Sequence, residues 1–93
     1  MNSERLKEYI LSSEEVLDTE AIKEVEHYYN QGEYEMAFEG LLIELIQIRK
    51  YPKRFIFNDW KELSEVYNIE NESVFDESIW PKFLKWGIDY SKQ

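Results

Sequence analysis

Residues 19–50, TEAIKEVEHYYNQGEYEMAFEGLLIELIQIRK, decide the fold, because they contain two amphipathic helices separated by Gln31 and Gly32. The first of the two is predicted to run from about Thr19, its N-cap, to Asn30. Gln31 and Gly32 end it, since glycine adopts the left-handed conformation that follows a helix at little cost. The apolar residues of this helix recur at the spacing of a buried face, and they are Ala21, Ile22, Val25, Tyr28 and Tyr29.

The second helix of the pair is predicted from about Glu33 to Lys50, with acidic residues first and basic residues last, an order that complements the helix macrodipole. One apolar face comprises Tyr34, Ala37, Phe38, Leu41, Leu45 and Ile48. A second strip comprises Met36, Ile43 and Ile46, bordered by Glu35 and Glu39. A helix that is apolar on two sides lies at the centre of a fold or presents one side to a partner. We expect the central position, with the Glu-bordered strip only partly covered.

A short first helix is predicted upstream of this pair, and its apolar residues are Leu6, Tyr9 and Ile10. Ser12 and Ser13 end this helix or cap the segment after it. Downstream, Tyr51 and Pro52 end the long helix, because the residue before a proline is pushed out of the α region. Residues 53–57 have β character but no second strand to pair with, so we predict an extended loop there.

Two further helices are predicted in the last third of the chain. Asp59 and Glu62 form the capping-box start of the fourth helix. Its apolar stripe comprises Trp60, Leu63 and Tyr67. Residues 68–78 are predicted to form an acidic loop. The last helix starts near Ser78, with Pro81 at the third helical position, where the missing N–H costs no hydrogen bond. Its core-facing stripe comprises Ile79, Phe83, Trp86 and Tyr90.

The composition is typical of one domain with a packed core. Of the 93 residues, 43% are hydrophobic and 16% are aromatic, which is too much apolar material for a disordered acidic tail. The chain has no cysteine for disulfides or structural zinc, so its stability must come from packing. We therefore predict an all-α protein, a compact single-domain bundle of about five short helices over residues 1–93, with a central helix hairpin and no cofactor.

The sequence contains no pattern typical of export or membrane insertion. The N-terminus is polar and mixed in charge, whereas a secretory signal needs a basic start and an unbroken apolar run. The longest apolar run, residues 41–43, is interrupted by Glu44 and cannot span a bilayer. A cytoplasmic location is predicted, without a membrane partner.

The charge is strongly acidic and unevenly distributed. The formal net charge is −9. Residues 1–46 contain twelve acidic and three basic side chains, whereas residues 47–61 contain five basic and one acidic. Residues 62–78 contain six acidic side chains and no basic one, and residues 79–93 contain three basic and one acidic. Most of this surface repels nucleic acid and anionic membrane, and it attracts a basic protein partner.

The sequence contains few residues or motifs that could serve in catalysis. It has no cysteine nucleophile, and its one histidine, His27, lies on the polar face of a predicted helix. No phosphate-binding loop or nucleophile elbow occurs. Glu35 and Glu39 are four residues apart, as in di-metal carboxylate sites, but the E-x-x-H motif of such sites is missing. We predict a binding protein without catalytic or metal-binding residues.

Two surfaces are candidates for the partner-binding site. The first is the acidic loop, where an aromatic side chain surrounded by charge is typical of an interface anchor; its candidate residues are Tyr67, Glu70, Glu72, Phe75, Asp76 and Glu77. The alternative for this loop is that Val74 and Phe75 pack beneath it into the core. The rival surface is the Glu-bordered strip, with candidate residues Glu35, Met36, Glu39 and Ile43.

Residues 26–41, EHYYNQGEYEMAFEGL, resemble the helix–turn–helix centre of small acidic immunity proteins from contact-dependent growth inhibition and related polymorphic toxin systems. In that family a helix ends in a polar-Gly turn, followed by Glu, an aromatic, Glu and a small residue. The resemblance implies a cytoplasmic protein without activity of its own. Its partner would be one cognate toxin domain, often a nuclease and therefore basic.

The same turn also resembles one tetratricopeptide hairpin, on Tyr29, Gly32, Tyr34 and Ala37. A solenoid needs about three repeats to bury its faces, and no second repeat follows at 34 residues. A helical adaptor is therefore an alternative to the immunity function. A further alternative is a nucleic-acid mimic, although the basic segment 47–61 interrupts the regular spread of carboxylates that a mimic requires.

Overall fold

The computed structural model describes residues 2–93, which form five helices and no strand. The helices are α1 (Asn2–Ser12), α2 (Thr19–Asn30), α3 (Tyr34–Ile48), α4 (Phe57–Val66) and α5 (Ile79–Tyr90). The predicted all-α class is confirmed, as is the helix hairpin, which α2 and α3 form. The longest helix has 15 residues, and none of the five is long and apolar enough to cross a bilayer.

Helix α3 lies at the centre of the bundle, as predicted from its two apolar sides. It packs against α1, α2 and α5, and its contact with α2 is the most extensive between any two helices. Its fully buried residues include Phe38, Leu41, Leu42 and Leu45. An aromatic cluster around Trp60 and Trp86 fills the space between α4, α5 and the loop that follows α3. The central helix thus contributes the middle of the core.

The turn between α2 and α3 has the conformation that the glycine predicts. Gly32 has φ +76°. Its N–H donates to the carbonyl of Tyr29 at 3.0 Å, and the N–H of Glu33 donates to the carbonyl of Tyr28 at 2.9 Å. These two bonds form a Schellman motif, which satisfies carbonyl groups that the end of the helix would otherwise leave unpaired.

The substitution Gly32→Val is expected to destabilise the protein by about 1 kcal/mol or more, because a β-branched residue resists a positive φ. A Cβ at this position meets no atom within 4 Å, so the loss comes from backbone strain alone. The measurement is urea unfolding followed by circular dichroism. Gln31→Val is the matched control, since its φ of −91° suits valine. Equal stability of the two variants would contradict the role of Gly32 as the cap.

Two helix ends differ from the sequence prediction. Asp18, not Thr19, is the N-cap of α2, and its carboxylate accepts the N–H of Ala21 at 2.8 Å. Helix α3 ends two residues earlier than predicted, because Arg49 adopts a left-handed conformation with φ 56°. Lys50 follows in the same Schellman pattern, and its carbonyl accepts the indole N–H of Trp86 from α5. Tertiary hydrogen bonding therefore holds a turn that local propensity does not favour.

The start of α4 also differs from the prediction. The helix begins at Phe57, with Ile56 as an N-cap that provides no side-chain hydrogen bond. Asp59 thus lies inside the first turn, where its carbonyl accepts a hydrogen bond from the guanidinium of Arg5 at 2.9 Å. The preceding residues 53–56 form a loop, but Lys53 and Arg54 make a turn with φ 55° at Arg54, so the predicted extended conformation is wrong there. Phe55 within this loop is buried. The capping-box pattern of Asp59 and Glu62 therefore does not mark the start of α4.

Candidate functional site

The candidate site is built around a carboxylate in the core. Glu39 of α3 is 0% exposed. Its Oε1 accepts the backbone N–H of Val74 at 2.6 Å, and its Oε2 accepts the N–H groups of Phe75 and Asp76 at 2.9 and 2.8 Å. The expectation that Glu39 lies at the border of the strip is wrong, whereas Met36, Ile43 and Ile46 are half-buried, as expected for a partly covered strip. The side chain holds the acidic loop against the helix.

The buried carboxylate of Glu39 is stabilised by the N–H groups that surround it. An ionised carboxylate loses its hydration when it is buried, and hydrogen bonds from several donors must replace it. Three successive N–H groups of the loop supply those bonds to Glu39, and the loop in turn has its donors satisfied. One side chain therefore sets the backbone conformation of residues 74–76.

The loop is also anchored at both of its ends. At its start, Asn68 has φ 54° and Ile69 is buried, with its N–H bonded to the carbonyl of Ser64 at 3.0 Å. At its end, the Asp76 carboxylate accepts hydrogen bonds from Lys82 at 2.7 Å and from the N–H and hydroxyl of Ser78 at 2.9 and 2.7 Å. These bonds, that of Lys82 first, lower the pKa of Asp76 to about 2. Asp76 is thus ionised and paired.

Two apolar side chains of the loop point away from the core. Val74 is 54% exposed and Phe75 is 45% exposed. The Phe75 ring lies against the Tyr28 ring of α2, with 5.6 Å between the ring centroids. The alternative in which Val74 and Phe75 pack beneath the loop is therefore wrong. We call the hydrogen bonds from residues 74–76 to Glu39 the Glu39 clamp, and this clamp presents Phe75 at the surface. The exposed acidic side chains of the loop are Glu70, Glu72 and Glu77.

Tyr67 has a structural position beside this loop. Its ring packs against that of Phe38, with centroids 5.8 Å apart. Its hydroxyl is buried, and among residues 2–93 it has no hydrogen-bond partner. Burial raises the pKa of Tyr67, and Tyr34 and Glu35 nearby raise it further. Tyr67 thus belongs to the packing at the end of α4 more than to the exposed surface.

A narrow crevice between α2 and α3 joins the two predicted surfaces. Its apolar lining comprises Ala21, Val25, Tyr28, Gly40, Ile43 and Phe75. Glu24 and Glu44 line the same crevice. Burial raises the pKa of Glu44, and the neighbouring carboxylates of Glu24 and Asp18 add to this effect. We define the loop–helix surface as this crevice together with Val74 and the exposed acidic side chains of the loop.

The structure thus brings together only part of each predicted surface. Ile43 of the strip and Phe75 of the loop line one crevice. Glu35 is exposed and Met36 is half-buried, about two turns before Ile43 on α3, and neither lines the crevice. Sequence reasoning missed the roles of Glu24, Tyr28 and Glu44, and the buried role of Glu39. The one sequence signal for Glu39 was its position among the apolar residues Met36, Leu42 and Ile43, but no local pattern identifies its donors.

The remaining candidates for chemistry are metal-ligating side chains and the one histidine. Within residues 2–93, no group of three or more His, Cys, Asp and Glu side chains is placed to hold a metal ion. His27 is exposed on α2, with its ring edge-on to Tyr28 and 6.0 Å between centroids. Comparison of the chain with family models, with curated proteins and with solved structures finds no match to any of them.

Proposed function

We propose that this chain is a cytoplasmic immunity protein that binds one cognate bacterial toxin domain and blocks its active site or substrate groove. The observation that carries the proposal is the clamp of Glu39 on residues 74–76, which presents Phe75 at the surface of an acidic loop. The chain is a binding protein in this proposal and has no activity of its own. Its partner is a basic protein, in keeping with the family that residues 26–41 resemble.

The fixed backbone of the loop favours tight binding. A partner that meets a mobile loop must order it, and each immobilised side chain costs about 0.5–1.5 kcal/mol. The loop–helix surface is already ordered by Glu39, by Ile69 and by Asp76. Phe75 can therefore serve as a central anchor, because aromatic side chains in a desolvated centre dominate binding energy.

The charges of the same surface favour fast binding to a basic partner. Glu70, Glu72 and Glu77 are exposed, and among residues 2–93 none of them forms an ion pair. A toxin that cleaves nucleic acid must present positive charge to phosphates. Unpaired carboxylates around Phe75 then accelerate encounter with that toxin, and Phe75, once it is buried in the complex, slows the release of the toxin.

Co-expression tests the function itself. The chain is produced in bacteria together with the toxin domain encoded beside its gene, and with an unrelated toxin as control. We expect survival with the cognate toxin alone and a 1:1 complex on gel filtration. Absence of protection and of a complex would reject the proposal and favour a helical adaptor.

Charge reversal tests the surface. Changing Glu70, Glu72 and Glu77 to Lys is expected to slow association with the cognate toxin by about tenfold or more at low salt, with a smaller effect on dissociation. Asp76 is left unchanged, because its pairing with Lys82 and Ser78 is structural. The measurement is surface plasmon resonance over a salt series.

The control variant undergoes the same change in net charge, but at positions outside the acidic loop. Its three changes to Lys are at Glu4, Glu8 and Glu14, which are exposed and, within residues 2–93, form no ion pair. We expect the control variant to lose much less of the association rate. Equal losses in the two variants would mean that net charge alone drives binding, and the loop would not be the interface.

A further inference from the structure

We propose that the crevice between α2 and α3 receives one arginine or lysine side chain of a basic protein partner. The inference rests on the proposed function, which it deepens by naming the chemical group that the partner inserts. The crevice lies beside Phe75, which the Glu39 clamp presents, and it is lined by residues of both helices of the hairpin. It is therefore part of the loop–helix surface.

The size of the crevice fits one side chain. Its volume is about 80 Å³, whereas pockets for small-molecule ligands have about 300–1,000 Å³. The lining is mainly apolar, with Val25, Tyr28, Ile43 and Phe75 among its residues. Gly40 also lines it, and a Cβ at that position would already lie 3.9 Å from Val25. The space suits the end of a single extended side chain.

The charge of the crevice selects a cation. Glu24 and Glu44 line it, and among residues 2–93 neither forms an ion pair. Glu44 is half-buried, and desolvation together with the nearby carboxylates of Glu24 and Asp18 raises its pKa. A cation placed between Glu24 and Glu44 would relieve that repulsion. An acidic or purely apolar side chain would increase the unfavourable desolvation instead.

Arginine and lysine match both properties of the crevice. Each has an aliphatic stem that packs on apolar surface and a charged end that stays close to carboxylates or water. Tyr28 and Phe75 both line the crevice, and an aromatic ring attracts a nearby cation. No other side chain combines an apolar stem with a permanent positive charge at neutral pH.

The test uses a short peptide and does not need the toxin. The ¹⁵N-labelled full chain is titrated with acetyl-Gly-Arg-Gly-amide, and with the same peptide carrying citrulline, the neutral isostere of arginine. We expect saturable shifts of the backbone amides of Glu24, Gly40 and Glu44 with the arginine peptide. Its affinity should exceed that of the citrulline peptide by about tenfold, the effect of a charge-assisted hydrogen bond.

Matched variants locate the binding. Glu44→Gln is expected to lower the affinity for the arginine peptide by about tenfold. The variant should fold at least as well as the parent, because it removes a carboxylate with a raised pKa. Glu20→Gln, an exposed change on α2 outside the crevice, should bind as the parent does.

Three outcomes would overturn the inference: no saturable shift, equal binding of the citrulline peptide, or unchanged binding in Glu44→Gln. The peptide result and the co-expression result are independent. If the chain protects from the toxin but does not bind the peptide, the crevice is not a cation-binding site, and the proposed function stands. If the chain binds the peptide but gives no protection, the crevice is a cation-binding site, and the toxin is not its partner.

Discussion

Glu39→Gln is expected to lower the free energy of unfolding by about 2–3 kcal/mol and to release the acidic loop from α3. Hydrogen bonds to a charged group contribute about 1.5–3 kcal/mol, and a buried group left without its partner costs more than the lost bond alone. The carboxylate accepts three N–H groups. A glutamine amide has one oxygen to accept with, and its NH₂ group would face a loop N–H.

The measurements are urea unfolding and amide hydrogen exchange. Exchange should accelerate at Val74, Phe75 and Asp76 and remain slow in the core of α3. Glu35→Gln makes the same chemical change one turn earlier, at an exposed position, and it should alter stability by no more than about 0.5 kcal/mol. Matching stabilities of the Glu39 and Glu35 variants would show that the clamp is unimportant.

The second large effect is expected at Gly87 of α5. This glycine is buried against the ring of Phe57, and a Cβ built on it would lie 2.2, 2.3 and 2.7 Å from three ring atoms. The ring cannot move freely, since it packs against Phe83 at 5.1 Å and Phe55 at 6.5 Å between centroids. Overpacking costs about 1–3 kcal/mol, and three contacts this far inside van der Waals distance place the present change near the upper limit of about 3 kcal/mol. The higher helix propensity of alanine than of glycine offsets about 1 kcal/mol of this cost.

For Gly87→Ala we therefore expect a net loss of about 2 kcal/mol, measured as a fall of the melting temperature by about 8–16 °C. Gly40→Ala is the control, because its Cβ meets only Val25, at an ordinary distance of 3.9 Å. That variant should be as stable as the parent or up to about 1 kcal/mol more stable. A second change, Phe57→Leu, should restore part of the loss in Gly87→Ala. Failure of this rescue would point to a cause other than the ring.

Both effects arise from contacts between segments that are distant in the chain. Glu39 and the loop residues that it binds are separated by 35 to 37 positions. Gly87 and Phe57 lie on different helices. Neither contact leaves a periodic pattern, so sequence reasoning treated Glu39 as a surface residue and assigned no packing role to Gly87. The candidate site depends on the first of these contacts.

The sequence alone determined the fold class, because the number and type of the helices follow from local patterns. The apolar spacing within residues 19–30 and 33–50 predicted the central pair, and Gly32 predicted the turn between the two helices. Pro81 predicted the start of α5, since proline is accepted in the first helical turn. These signals lie within a few residues of the feature that they specify, which is why they can be read without the structure.

For the candidate site, the sequence predicted its composition and not its geometry. The acidic loop was predicted to carry Phe75 among carboxylates, and Ile43 was predicted on a rival surface. Only the tertiary structure decided that both line one crevice, that Phe75 is exposed and that Glu39 is buried. The physical reason is that a carboxylate belongs at the surface unless donors from another segment replace its water. Those donors are backbone N–H groups, which every residue except proline has and which no side-chain pattern reveals.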